Sequence, residues 1–212
     1  LPFEYREIFR YGFSLSVIKF LLLRIAQKFS FKNSNGIIFL SKYAEKVVMK
    51  KIGGYIGTKK TIPHGLDKRF FVNPEQRKSI SSKEDKKSIK IVYVSSIEPY
   101  KHQWNVVEAV SSLISKGHKI QLDFIGPPNQ KYLKKLNKSI KRNLNGTRSI
   151  KYHGIVKHNK IQKIYLQSDI AVFASSCETF GQILIEGMAS SLPTACSNMS
   201  TMPEILGDSG VY

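Results

Sequence analysis

Two glutamates, Glu178 and Glu186, lie eight positions apart where an apolar run gives way to a helical pattern. The first turn of such a helix offers unpaired backbone N–H groups and the positive end of the helix dipole, which suit an anion. Gly181 allows a ligand to approach the backbone closely. A carboxylate beside an anion site would accept hydrogen bonds from hydroxyl groups. The segment therefore predicts a ligand that carries both phosphate and sugar hydroxyls.

The same segment has a purely structural interpretation. Ser175 with Glu178, and Thr179 with Gln182, have the spacing of a capping box, in which side chains satisfy the helix N-terminus. In that case Glu178 would cap a helix and Glu186 would be a surface residue. The residues alone leave both interpretations open.

The elements that would position this segment alternate along the chain from residue 89 onward. The predicted strands are 89–94, 120–125, 150–153, 170–174 and 192–196, and the predicted helices are 103–116, 131–144, 160–167 and 182–189. Short apolar strands that alternate with helices indicate an α/β fold, a Rossmann-like parallel sheet with helices on both faces. Ligands of such sheets bind outside the carboxyl ends of the strands.

The first part of the chain is organised differently. Residues 1–62 are predicted to form helix, helix, strand, helix and strand, with Ser41 as the N-cap of the third helix. The apolar stretch 13–26 is too short to span a bilayer and predicts either a packed helix or a basic helix lying on a membrane face. We therefore expect a partial N-terminal domain at 1–62, a hinge at 63–88 and the α/β domain at 89–212.

Charge and cysteine content limit the classes of function. The chain has 34 Lys and Arg against 15 Asp and Glu, a net charge of +19. Such an excess predicts an anionic partner, namely a nucleotide, a nucleic acid or an acidic membrane surface. Two cysteines, Cys177 and Cys196, exclude a disulfide scaffold and are expected to be reduced thiols. The histidines lack metal-ligand spacing, so no metal is expected.

Four segments together resemble the family-four retaining glycosyltransferases, which have the GT-B fold. Glu178 and Glu186 match the family's E-x7-E motif, including the Phe-Gly that follows the first glutamate. Residues 62–67 resemble the I-P-N-G-x-D segment between the two domains, with histidine in place of asparagine. Residues 94–101 resemble the V-G-R-L-x-x-x-K turn, and residues 39–43 resemble the end of the N-terminal domain.

The resemblance implies roles for individual residues. Glu178 would contact hydroxyls of the donor sugar, and Glu186 would bind the nucleotide ribose. Lys101 would neutralise the diphosphate and stabilise the leaving group, which makes Glu178 and Lys101 the candidate catalytic residues. Apart from the resemblance, Lys101 would equally well be a solvated surface side chain. The other candidate donor-binding residues, facing the phosphate, sugar or base, are Ser96, Gly154, Val156, Thr179, Phe180 and Gly181.

The turn at residues 94–101 departs from the family pattern. Where the family usually has Gly-Arg, this chain has Ser95 and Ser96. A serine can donate one hydrogen bond but brings no charge, so one cation fewer faces the diphosphate.

The resemblance implies transfer of a sugar, with retention, from a GDP- or UDP-linked donor to a glycan or lipid-linked acceptor, with no cofactor. We expect a role in bacterial surface-polysaccharide assembly, in the cytoplasm and against the inner face of the membrane. Because the first domain would be partial and family members continue beyond residue 212, we expect a piece of an enzyme that is inactive alone.

Three other classes of protein compete with this assignment. Basic residues are frequent between 131 and 151, and no acidic residue occurs there, as in some nucleic-acid-binding proteins. This stretch lacks an interleaved aromatic platform, so we expect no nucleic-acid partner. A GT-B sugar-nucleotide epimerase and a noncatalytic sugar-nucleotide binder would share both the fold and the pocket.

Overall fold

The computed structural model describes residues 3–73, 75, 88–143 and 149–212. Most of the second half of the predicted hinge, and Leu144 at the end of a predicted helix, lie outside these residues. The strands are β1 (Gly36–Phe39), β2 (Thr58–Thr61), β3 (Ile89–Val94), β4 (Ile120–Ile125), β5 (Ile150–Tyr152), β6 (Ile170–Phe173) and β7 (Thr194–Cys196). The helices are α1 (Tyr5–Phe9), α2 (Leu15–Lys32), α3 (Lys42–Ile52), α4 (Gln103–Ser115), α5 (Gln130–Asn143), α6 (His158–Gln167), α7 (Gln182–Ala189) and α8 (Met202–Leu206).

The main sheet has five parallel strands in the order β5-β4-β3-β6-β7. From the central strand β3 the chain first builds outward through β4 and β5, and then returns to the other side through β6 and β7. The strand order therefore reverses between β3 and β6, which is where doubly wound sheets bind ligands. The predicted α/β fold with a parallel Rossmann-like sheet is confirmed.

Strand β3 is buried on both of its faces. Ile91 and Tyr93 point into the larger apolar core, together with residues of α4 and α5. Val92 and Val94 point to the opposite face, where Tyr165 of α6 covers them. This alternation follows from the two-residue period of a strand, and it explains why the four residues 91–94 of β3 are all apolar, after the exposed Lys90.

The first part of the chain forms a separate parallel pair, β1 and β2. Ile37 and Phe39 of β1 form a small core with Ile52 of α3. Ser41 caps α3 as predicted, because its side chain accepts a hydrogen bond from the backbone N–H of Ala44 at 3.1 Å. The predicted order of elements in this part is confirmed, whereas the domain boundaries stay a prediction.

Helix α2 contains most of the apolar stretch 13–26, and none of its residues is buried. Val17 and Phe20 pack partly against the main core, whereas Leu15 and Ile18 are 84% and 56% exposed. The packed side of α2 fits the expectation of a packed helix. The expectation of a basic helix lying on a membrane face stays a prediction. Within the described ranges, no helix is long and apolar enough to cross a membrane.

The beginning of the predicted hinge packs on the α/β domain. Phe70 is 1% exposed and belongs to the core beside α6. The backbone N–H of Val72 donates to the carbonyl of Ala189 at 2.9 Å, and the hydroxyl of Ser191 donates to the carbonyl of Val72 at 2.6 Å. These contacts fasten the segment after β2 to the C-terminal end of α7.

Gly126 joins the turns that follow three neighbouring strands. Its backbone N–H donates to the carbonyl of Gly154 at 2.9 Å, and its φ of +142° lies outside the range that other residues adopt easily. A Cβ at this position would lie 2.1 Å from the carbonyl oxygen of Ser95. Only glycine therefore allows these turns to approach one another so closely.

We expect Gly126→Ala to lower the free energy of unfolding by about 2–4 kcal/mol, because backbone strain and a steric overlap add. Urea denaturation followed by circular dichroism measures the change. Gly36→Ala is the matched control, because its Cβ would meet only the Thr58 carbonyl, at an ordinary 3.5 Å. Equal stability of the two variants would contradict the role assigned to Gly126.

Candidate functional site

The turns after β3 and β6 meet at the carboxyl end of the sheet, where the strand order reverses. The turn after β3 contains Ser95, Ser96 and a short 3-10 helix at Pro99–Lys101. The backbone N–H of Ser176, in the loop after β6, donates to the carbonyl of Tyr100 at 2.8 Å. The fold thus joins two motifs that are about 80 residues apart in sequence.

Lys101 and Glu178 form an ion pair between these two loops. Their side chains are only 8% and 18% exposed. The Lys101 ammonium also lies 4.6 Å from the ring centroid of Phe173 and 5.2 Å from that of Tyr100. The interpretation of Lys101 as a solvated surface side chain is therefore wrong, and the two candidate catalytic residues are in direct contact.

Neither capping box forms. The Ser175 hydroxyl donates to Oε1 of Glu178 at 2.7 Å, and the Glu178 N–H donates to the Ser200 hydroxyl at 3.0 Å. Helix α7 begins at Gln182 after Gly181, and no described side chain caps it. The capping interpretation of Glu178 is therefore wrong, and the helix N-terminus is left open.

The entrance to α7 is formed by Thr179, Phe180 and Gly181. Gly181 has a φ of +85°, in the left-handed region that favours glycine. Phe180 is 5% exposed, and its ring packs edge-on against His64 with the centroids 5.5 Å apart. Thr179 is exposed, and its carbonyl accepts a hydrogen bond from the Ser41 hydroxyl at 2.6 Å. The hinge and the first sheet therefore both reach the predicted anion site.

Glu186 is 1% exposed, so the expectation of a surface residue is wrong. Its Oε1 lies 3.2 Å from Nε2 of His158. Its Oε2 is buried and has no hydrogen-bond partner in the described part of the chain. Burial raises the pKa of Glu186, and the contact with His158 opposes this shift. A buried carboxylate oxygen without a donor is an acceptor available to a ligand hydroxyl.

The other predicted donor-binding residues lie in the neighbouring turns. Ser96 is half-buried, and its carbonyl accepts a hydrogen bond from Nε2 of Gln103 at 2.7 Å. The same amide donates to the Ser95 hydroxyl at 2.9 Å. Gly154 has a φ of +75°. Val156 packs against the apolar core on the α6 side of the sheet. All of them lie at the carboxyl end of the sheet, on turns after β3 and β5.

Helix α1 contributes to this site in a way that the sequence does not predict. Glu7 is 3% exposed and accepts hydrogen bonds from Nε of Arg10 at 2.7 Å and from the hydroxyl of Ser176 at 2.6 Å. Nε2 of His102 lies 2.9 Å from the same hydroxyl. Burial lowers the pKa of His102. No local pattern predicts these contacts, since Glu7 and Ser176 are 169 positions apart.

Glu4 makes a second connection from the beginning of the chain. Its carboxylate accepts hydrogen bonds from the hydroxyl of Tyr43 at 2.5 Å and from the thiol of Cys177 at 2.6 Å. Cys177 and Cys196 are both free and buried. Burial raises the pKa of the Cys177 thiol well above its usual range and that of Cys196 to about 11. Both thiols therefore stay protonated at neutral pH.

Residues 74–210, more than half of the chain, match the family described as "Glycosyl transferases group 1". The chain belongs to this family. Its sequence is 35% identical over 68 residues to O-antigen chain mannosyltransferase B of Escherichia coli, a match that covers 31% of this chain and 18% of the relative. The predicted membership of a GT-B glycosyltransferase family is confirmed.

Solved structures show the same fold. HepE of Anabaena, in complex with UDP and glucose, has a TM-score of 0.71 at 20% identity over 93% of this chain. Sucrose-phosphate synthase of Thermosynechococcus elongatus has a TM-score of 0.73 at 16% identity over 96% of this chain. The pneumococcal O-GlcNAc transferase GtfA, in complex with UDP and GlcNAc, has a TM-score of 0.64 at 22% identity. The chain spans about half the length of the first two of these proteins.

Groups of His, Cys, Asp and Glu that could hold a metal ion do not occur among the described residues. The positive charge next to Glu178 comes from Lys101. The Lys101 ammonium and the positive end of the α7 dipole are groups of the kind that can hold an anion.

We expect Lys101→Met and Glu178→Gln each to lower the free energy of unfolding by about 3 kcal/mol, because each leaves a buried charge without its partner. The double variant should lose less than the sum, with a coupling energy of about 1–3 kcal/mol. A double-mutant cycle by urea denaturation measures this coupling.

The exposed pair of Arg142 and Glu108, with side chains 68% and 51% exposed, is the matched control. For Arg142→Met and Glu108→Gln we expect a coupling of less than about 0.5 kcal/mol. Strictly additive losses at Lys101 and Glu178 would show that their contact does not stabilise the site.

Proposed function

We propose that the complete protein transfers a sugar from a nucleotide-diphosphate sugar to a glycan or lipid-linked acceptor, with retention at the anomeric carbon. One observation carries the proposal. The Lys101–Glu178 pair lies beside an uncapped helix N-terminus, and the carboxylate of Glu186 within that helix has a buried oxygen without a partner. A ligand with phosphates, sugar hydroxyls and a ribose matches these three features.

Each part of the donor then has a partner. The diphosphate meets the Lys101 ammonium and the backbone N–H groups at Phe180 and Gly181, where the dipole of α7 favours negative charge. The sugar hydroxyls donate to Glu178, and the ribose hydroxyls donate to Oε2 of Glu186. The remaining donor-binding residues of the proposal are Ser96 beside the phosphates, Thr179 beside the sugar, and Gly154 and Val156 beside the base.

The proposed reaction breaks the bond between the anomeric carbon and the terminal phosphate oxygen. The electron pair leaves with the phosphate, where Lys101 and the start of α7 stabilise the developing charge. The acceptor oxygen bonds to the anomeric carbon on the same face, and its proton passes to the leaving phosphate. No metal or further cofactor takes part in this proposal.

Donor binding must change the partner of Lys101. In the structure the ammonium contacts Glu178 and Glu178 also accepts from Ser175. A diphosphate that approaches Lys101 would draw the ammonium away and free one oxygen of Glu178 for a sugar hydroxyl. The ion pair thus keeps two buried charges satisfied until the donor replaces each partner.

The likeness to a mannosyltransferase of O-antigen chains supports a role in bacterial surface-polysaccharide assembly. It favours a GDP-linked sugar, whereas HepE and GtfA were solved with UDP, which supports a UDP-linked one. The proposal therefore covers both nucleotides, and the binding experiment selects between them.

We expect the complete protein to bind one of GDP and UDP with micromolar affinity, and Lys101→Ala and Glu186→Ala each to weaken this binding by at least about tenfold, because each removes a charged partner of the ligand. Isothermal titration calorimetry measures the affinity. Lys116→Ala, an exposed lysine after α4, is the control that should change nothing.

Transfer is tested with the sugar conjugate of the nucleotide that binds. We expect glycosylation of a polysaccharide or lipid-linked acceptor. NMR of the product should show that the anomeric configuration of the donor is retained. Inversion would contradict the mechanism. Epimerised donor without transfer would favour the epimerase class, and binding without either reaction would favour a noncatalytic binder.

Helix α5 supports the membrane part of the proposal. Its exposed cations repeat every three or four residues and therefore form one stripe along the helix. They are Lys131, Lys134, Lys135, Lys138, Lys141 and Arg142. The opposite face is fixed to the domain by Tyr132 and Leu136. A rigid cationic stripe fits the headgroups of an anionic bilayer, which would place the protein in the cytoplasm against the inner membrane face.

We expect the triple variant Lys134→Glu, Lys138→Glu, Lys141→Glu to lose at least about 100-fold in affinity for vesicles with 30% phosphatidylglycerol, since each cation near such a surface contributes about 1 kcal/mol. Co-sedimentation measures binding. The same reversal at the exposed residues Lys28, Lys46 and Lys60 is the control. Equal losses in both variants would contradict a role for the stripe, and tighter salt-sensitive binding to duplex DNA would favour a nucleic-acid partner.

A further inference from the structure

His158, the first residue of α6, contacts Glu186 of α7 at 3.2 Å. The imidazole is 60% exposed, whereas the side chain of Glu186 is 2% exposed. The imidazole also packs against the ring of Phe70, with the centroids 5.4 Å apart. The contact therefore joins a buried carboxylate to an exposed imidazole ring that packs against Phe70.

The two oxygens of Glu186 have different surroundings. Oε1 faces Nε2 of His158, whereas Oε2 has no described partner. An ionised carboxylate is only an acceptor, so the imidazole must present an N–H to Oε1. His158 thus occupies one oxygen and leaves the other for a ligand.

The titratable and charged groups around this pair come from α6, from the turn just before it and from the segment after β2. Burial, with a smaller contribution from the carboxylate of Glu186, raises the pKa of the Tyr165 phenol on α6. Asp67, in the segment after β2, is ion-paired with Arg69 at 2.6 Å. The Arg69 contact, with a smaller contribution from His158, lowers the pKa of Asp67 to about 2. The other cations close to His158 in sequence are Lys157 and Lys160.

We propose that His158 is a positioning residue that holds Oε1 and keeps Glu186 negatively charged, so that Oε2 accepts the ribose hydroxyls of the donor. This inference rests on the proposed function. It makes donor affinity depend on pH through a residue that touches the carboxylate rather than the phosphates.

The direction of the effect follows from the surroundings of Glu186. Burial raises its pKa, and the His158 contact lowers it. On the acid side Glu186 takes up a proton and becomes a weaker acceptor for the ribose. Without His158 this proton uptake moves to higher pH, so that the affinity for the donor begins to fall at a higher pH. On the alkaline side Glu186 is ionised with or without His158.

The experiment is calorimetric titration of the complete protein with the nucleotide that binds, GDP or UDP, between pH 5.5 and 8.5. We expect His158→Ala to weaken binding about tenfold at pH 6 and less than about threefold at pH 8.5, because the loss of the contact favours protonation of Glu186 on the acid side. His158→Gln keeps an N–H donor and should restore part of the affinity. His118→Ala, an exposed histidine in the turn before β4, is the control and should match the natural protein.

The 2′,3′-dideoxy form of the same nucleotide separates positioning from a general structural effect. It has no ribose hydroxyls, so its affinity should be low and independent of His158. The inference would be overturned if His158→Ala lost the same affinity at every pH. It would also be overturned if the variant lost as much affinity for the dideoxy nucleotide as for the natural one.

The two proposals fail in different ways. If the natural protein binds neither nucleotide, the proposed function and this inference are both wrong. If Glu186→Ala abolishes binding while His158→Ala leaves the pH profile unchanged, only the role of His158 is wrong.

Discussion

The buried ion pair of Lys101 and Glu178 is the interaction on which the site depends. It joins the loop after β3 to the loop after β6 at the point where the strand order reverses. Two charges taken out of water are costly unless each has a close partner. Phe173, Tyr100 and the hydroxyl of Ser175 complete the surroundings of the pair. The geometry of both loops is therefore fixed by the need to satisfy these charges.

Contacts from outside the main sheet stabilise the same loops. Ser41 donates to the carbonyl of Thr179, and the carboxylate of Glu204 on α8 accepts from the first two backbone N–H groups of α3. Glu7 binds the hydroxyl of Ser176. These contacts cross between the two parts of the chain. A movement of the first sheet relative to the second would therefore change the surroundings of Glu178. The order of the site thus depends on the relative position of the two parts of the chain.

Much of the fold could be predicted because it is encoded locally. Strands β3 and β4 and helix α7 have the predicted bounds, since their apolar patterns are long and end at clear turn residues. Helix α6 begins two residues before its predicted start, because no capping side chain marks it. Helix α8 was missed because five residues are too few for a periodic pattern. The burial of Lys101 depends on its contact with Glu178, 77 positions away, which no local pattern contains. The backbone N–H of Glu178 donates to Ser200, 22 positions away, so the first capping box also fails for a reason outside its own segment.

The turn at residues 94–101 contains no arginine in its sequence, which has a consequence for the electrostatics of the site. Gln103 is 0% exposed and holds this turn with two hydrogen bonds from its amide, so the turn is fixed without a charge. Lys101 is balanced by Glu178, and Glu186 adds a further negative charge. A diphosphate would therefore meet side chains whose charges do not favour it. The open N-terminus of α7 and the net charge of +19 act in the opposite direction, by a local dipole and a long-range field. In the proposed function, donor capture would therefore draw on the backbone N–H groups and on the whole basic surface as well as on Lys101.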